Sequence, residues 1–154
     1  MSEHRLAQVN VSRLLAPLDD PRLAMFVAAL EPVNARADAA PGFVWRLQGE
    51  GGDATSIRAF PDPNVIVNLS VWESVDALEA FTFGDPAHRA VLRGRRAWFE
   101  RHAEADTALW WIARDTLPSV EDAAERLAHL RRHGPTAFAF TFRKRFAPGA
   151  ATAS

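Results

Sequence analysis

Residues 65–74 read VIVNLSVWES, and this stretch fixes how the rest of the chain is read. Val65, Val67, Leu69 and Val71 alternate with Ile66, Asn68, Ser70 and Trp72, the period of a strand with one aliphatic and one mixed face. Ser74 then suits the N-cap of a helix over Val75–Phe83, because its hydroxyl can accept from an otherwise unpaired amide of the first turn. Gly84-Asp85-Pro86 ends that helix and opens a second one, predicted over Asp85–Ala103, DPAHRAVLRGRRAWFERHA.

Upstream, Leu6–Leu15 alternates in the same way, with Ala7, Val9 and Val11 on one face and Gln8, Asn10 and Ser12 on the other. Asp20-Pro21 starts a helix running toward Ala39, with Leu23, Phe26, Leu30 and Val33 inward. Pro32 is expected to bend or break it, and Pro41-Gly42 to stop it. Phe43–Gln48 is a short strand, and the turn-rich residues 49–64 are expected to hold a hairpin loop. Downstream, Thr107–Arg114 is a strand. Ser119 caps a helix with Val120, Ala123, Leu127 and Leu130 inward, ending at Gly134-Pro135, and Ala137–Phe142 reads as a last strand. The predicted organisation is one domain over residues 4–146, with a disordered tail over 147–154.

This element order is a ferredoxin-like split βαβ arrangement: an antiparallel sheet with the first and third strands central and helices on one face. Asn10 and Asn68 then become neighbours. The uniformly aliphatic opposite face is expected to pack on the sheet of a second copy, giving a homodimer.

Composition narrows the classes of function. A formal charge of −1 over 154 residues gives no field that would draw nucleic acid or an anionic membrane. The chain has no cysteine, which excludes disulfides, thiolate metal sites and cysteine nucleophiles. With no signal-like start and no apolar run long enough to span a bilayer, a cytoplasmic protein is expected. GEGGD does not precede a helix, so it is no phosphate loop, and His129 and His133 fall on the solvent face of their helix, so no metal site is expected.

The Asp85–Ala103 helix carries the chemistry. On a helical wheel His88, Arg95 and His102 share a side with Val91, Leu92 and Phe99, with Trp98 at its edge, and that side is expected to face the core. Burying unpaired ionisable groups is costly, so these either are satisfied structural groups or line a wet cavity. His88, in the first turn of its helix, is the candidate general base, kept neutral by the dipole; the bland alternative is a ring donating to a nearby carbonyl. Arg95 is the candidate oxyanion stabiliser, against a structural salt bridge to Asp38 or Glu73. His102 reads as a cap or surface group. Asn10 completes the catalytic set, and Asn68, Trp72, Phe81, Trp98 and Trp110 are the candidate substrate contacts.

The segments PGFVWRLQ, VNLSVWES, HRAVLRGRRAWF, ALWW and AFTF together resemble a bacterial family of unknown function within the dimeric α+β barrel superfamily. That superfamily includes antibiotic-biosynthesis monooxygenases, haem-degrading monooxygenases, muconolactone isomerases and polyketide cyclases. Asn10 matches the first-strand Asn of the haem degraders, whereas Phe81 stands at their Trp position and His88 falls about one turn early. The quinone-forming monooxygenases use Asn, Trp, Tyr and Arg; Asn10, Trp72 and Arg95 correspond in type, and the chain has no Tyr. The resemblance implies a cofactor-free, monooxygenase-like enzyme acting on an aromatic or polyketide-like compound. Its alternatives are a non-redox isomerase or cyclase, a haem-binding form with His88 as axial ligand, and a dimeric binding module without turnover.

Overall fold

The computed structural model describes residues 3–48, 64–101 and 104–148; the hairpin loop expected over 49–64 falls almost wholly outside them, as do His102 and residues 149–154 of the expected tail. Among the described residues the chain forms β1 (His4–Arg13), α1 (Ala24–Asp38), β2 (Phe43–Arg46), β3 (Val65–Trp72), α2 (Val75–Gly84), α3 (Pro86–Trp98), β4 (Thr107–Ala113) and α4 (Val120–His133). The sheet order is β2-β3-β1-β4, with each neighbouring pair antiparallel. β1 and β3 are central, and Asn10 stands directly opposite Asn68.

The caps read from sequence are present. The Asp20 side chain accepts from the Arg22 amide at a 3-10 turn, Pro21–Leu23, that leads into α1. Ser74 accepts from Ala77 N–H at 3.0 Å, and Ser119 and Asp122 form a reciprocal capping box on α4. Gly42 takes φ 82°, a left-handed turn that swings the chain from α1 into β2. Pro32 neither breaks nor interrupts α1. The carbonyl it leaves unpaired, that of Ala28, lies on the exposed side of the helix, where water can satisfy it.

Three expectations are corrected. First, α3 stops at Trp98 rather than Ala103, because Phe99 turns extended (φ −124°, ψ 148°) and pairs with Leu14 at the end of β1. Backbone bonds from Leu15 N to Trp98 O and from Glu100 N to Arg13 O, both 2.8 Å, fix that crossing. Second, Ala137–Phe142 forms no strand; Phe140 alone bridges Leu109, since Thr136 draws the segment into a turn by accepting from the Phe138 and Ala139 amides.

The third correction concerns the aliphatic face. Ala7, Val9, Val67, Leu69 and Trp110 are buried within the single chain, packed against Ala123, Leu127 and Leu130 of α4 and against Ala139. Helices therefore lie on both faces, α1–α3 on one and α4 on the other. The face assigned to a partner sheet is covered in the single chain by the chain's own last helix. The Ser119 cap and the four- and three-residue spacing of Ala123, Leu127 and Leu130 lay the apolar stripe of α4 along the sheet.

Candidate functional site

The mixed face of the sheet closes only in part against its helices: Leu6, Trp72 and Leu109 pack on Val75, Leu78 and Phe81 of α2. Beside that cluster a cavity of about 510 Å³ is lined by Gln8, Asn10, Asn68, Ser70 and Trp72 of the sheet and by residues of α1, α2 and α3. α3 roofs it and has no buried residue, because its apolar side, Val91 and Leu92, faces the cavity and not a packed core. Asp85 holds the roof in place. Its carboxylate accepts from the Ala87 and His88 amides, each 3.0 Å, and from Arg36 Nε of α1 at 2.7 Å. Burial works against the Asp85 charge, but the His88 amide, Arg36 and the Ala87 amide outweigh it and hold the carboxyl below the usual carboxylate range.

His88 projects from the first turn of α3 into this space. Its Nδ1 lies 2.7 Å from the Thr82 carbonyl oxygen, which only accepts, so Nδ1 carries the proton. Nε2 is then the lone-pair nitrogen, and among the described residues it has no partner. Burial pushes the ring's pKa below its ordinary 6.5, outweighing the bond to Thr82 and the nearby Asp85 charge. The His is therefore a neutral base at pH 7. The structural bond considered as the bland reading is present, and it fixes the tautomer that a base requires.

An aromatic run leads from His88 to the sheet. Phe81 lies 5.1 Å from His88, Trp72 5.6 Å from Phe81 and Phe43 5.4 Å from Trp72, centroid to centroid. Beside it the floor is polar. Gln8 Nε2 donates to Asn68 Oδ1 at 2.8 Å and to Ser70 Oγ at 3.0 Å, and Trp72 Nε1 donates to the same Ser70 oxygen at 2.9 Å. Gln8 and Ser70 are buried, whereas Asn68 is exposed to the cavity, so its amide hydrogens face open space.

Of the residues singled out from sequence, His88, Arg95, Asn10, Asn68, Trp72 and Phe81 line this one cavity. Arg95 is exposed and not inward-buried; it donates to the Leu92 carbonyl of its own helix at 3.1 Å and lines the cavity from the rim. Neither proposed acid reaches it, since Asp38 pairs with Arg46 and Glu73 with Arg5 and Arg114. Trp98 and Trp110 are not cavity residues. Trp98 packs on Phe26, 5.6 Å away, in an outer cluster with Leu14 and Leu23. Trp110 sits on the opposite face under Arg126, because strand alternation gives the cavity side to Thr107, Leu109 and Trp111.

Gln8, Ser70, Arg46, Asp106 and Thr107 also line the cavity and were not singled out. Alternation already placed Gln8 and Ser70 on the right face; Asp106 and Thr107 needed the β1–β4 register. Among the described residues no group of three or more His, Cys, Asp or Glu could hold a metal ion, and no helix is long and apolar enough to cross a membrane.

A family profile described as a domain of unknown function, DUF3291, matches residues 5–154. The chain belongs to the DUF3291 family. No curated protein matches it significantly. Among solved structures, this DUF3291 chain is similar to SnoaB, a cofactor-independent oxygenase from Streptomyces nogalater. Identity is 22%, with 77% of this chain and 100% of that one covered, at a TM-score of 0.50. It is also similar to PA3566 from Pseudomonas aeruginosa, at 16% identity, 75% and 98% coverage and a TM-score of 0.48. At these identities the likeness is one of fold, which for the DUF3291 chain is the α+β architecture described above.

Proposed function

We propose that the cavity is an active site in which His88 Nε2 removes an acidic proton from an aromatic or polyketide-like compound. The observation that carries this reading is the His88–Thr82 bond, which leaves a neutral ring with a free, cavity-facing base. Phe43, half-buried beside the buried Trp72 and Phe81, gives the cavity an aromatic side that suits a planar substrate. Asn68 Nδ2 donates to the oxygen on which negative charge develops, and Arg95, free of any carboxylate among the described residues, supplies countercharge at the rim.

In air the resulting carbanion passes an electron to dioxygen, and the radical pair combines as a peroxide. Protonation and loss of water leave a carbonyl, so that CH2 plus O2 becomes C=O plus H2O with no cofactor. That a cofactor-independent oxygenase shares the fold is consistent with this chemistry.

Anthrone, which carries one acidic methylene, tests the reading. Deuterium exchange from D2O is followed without oxygen, and anthraquinone formation with oxygen. Acceleration of both over buffer, lost in His88→Gln, is the expected result. Exchange without oxidation would assign the site to isomerisation or cyclisation; no acceleration of either would overturn the reading. Haem is added separately. A Soret shift that disappears in His88→Ala would make Nε2 an axial ligand and not a base.

A further inference from the structure

Beyond His88, the two asparagines on the cavity floor present opposite polarity. Asn10 Nδ2 donates to Thr107 Oγ1 at 2.8 Å, and the Thr107 hydroxyl donates to Asp106 Oδ1 at 3.1 Å. The direction of this chain is fixed at its far end. A carboxylate only accepts, so the Thr107 proton goes to Asp106, and the Thr107 oxygen can take only a donor from Asn10. The Asn10 amide is thereby turned with its nitrogen toward β4, leaving its carbonyl oxygen without a partner among the described residues. Asn68 is held the other way round, its carbonyl accepting from Gln8 and its amide hydrogens left to the cavity. The two residues are directly opposed across β1 and β3, where side chains lie about 5 Å apart.

We infer that Asp106, acting through Thr107, is a positioning residue that makes Asn10 an acceptor beside the donor Asn68, so that the floor selects ligands carrying a hydrogen-bond donor next to a carbonyl. Lactams, hydroxy ketones and enolised 1,3-dicarbonyls share this edge. The inference rests on the small-molecule reading above but requires no turnover.

Calorimetric titration of the full-length protein with 2-quinolinone and 1-methyl-2-quinolinone tests it, since the second keeps the ring and carbonyl and lacks only the donor. The wild type is expected to bind 2-quinolinone about tenfold more tightly, the worth of one hydrogen bond that must otherwise go unmade. Thr107→Val, which keeps the β-branched shape, should bring that ratio close to unity, and Thr107→Ser should restore it. Asp106→Ala removes the terminal acceptor without touching Thr107 and should also reduce the ratio. Equal binding of the two compounds, binding of neither, or a ratio unchanged in Thr107→Val and Asp106→Ala would overturn the inference. Anthrone turnover without quinolinone preference would leave the catalytic reading standing alone. Preference without turnover would leave only the recognition.

Discussion

His88 uses its two ring nitrogens for different purposes. Nδ1 ties the roof helix to the Thr82 carbonyl at the end of α2, and Nε2 is left to the cavity. His88→Gln should lower anthrone exchange by about 10²- to 10⁴-fold, the usual contribution of a positioned base, while circular dichroism stays native. The pH dependence follows from burial. Because the folded ring titrates below 6.5, exchange should hold at neutral pH and fall only on the acid side of that value. Stability carries the same sign. As pH drops below 6.5 the unfolded chain binds a proton that the folded ring still refuses, so the native state weakens. Melting curves between pH 7.5 and 5 should therefore slope less steeply in His88→Gln than in the wild type, with the two running parallel above pH 7. Slopes that coincide throughout would show that His88 is not buried as described.

The elements divide between those their own sequence determines and those their neighbours cut short. α4 is of the first kind. Its capping box, acidic first turn and basic last turn are all local, and Ser119→Ala should cost about 1 kcal/mol in urea denaturation. The turn at Gly42 is local in conformation and tertiary in consequence. Its φ of 82° disfavours a side chain, and an added Cβ would stand 2.5 Å from Ala77 Cβ of α2. Gly42→Ala should then cost about 1–3 kcal/mol from backbone strain alone, with the clash adding to it. Denaturation of that variant within error of wild type would refute the close approach of α2. α3 belongs to the second kind. Its helical pattern continues to Ala103 in sequence, yet Phe99 pairs with Leu14 instead, since the end of β1 offers backbone partners that one more helical turn cannot.

In the molecule as a whole, the sheet buries its aliphatic face against α4 and leaves part of its mixed face open to the cavity. Leu127 of α4 is 1% exposed and lies in the same core as Val9, Leu69 and Trp110. Leu127→Ala should cost about 2–5 kcal/mol, the range for truncating a buried leucine, and should leave quinolinone affinity nearly unchanged because the cavity is on the other side. If that substitution altered affinity as strongly as stability, the two faces would not be separate. The separation matters for function: a packed face makes the strands rigid, and rigid strands hold Asn10 and Asn68 in fixed register.

Alternation along β1 and β3 was enough to sort Gln8, Asn10, Asn68 and Ser70 onto one face, because a strand's period of two is a property of the backbone. The caps at Asp20, Ser74 and Ser119 were equally legible, since a cap is satisfied within three residues. The sequence alone also placed His88, Asn10, Asn68, Trp72 and Phe81 around one space, through the order of the elements. What lies against a face is not local. The same valines that suit a partner sheet suit the stripe of α4, and only the folded chain brings Leu127 onto Val9. Trp98 and Trp110 missed the cavity for that reason, one beyond its rim and the other behind the sheet. The Asp106–Thr107–Asn10 chain depends on β4 pairing with β1, across 97 residues of sequence from Asn10 to Thr107, a contact that only tertiary structure makes.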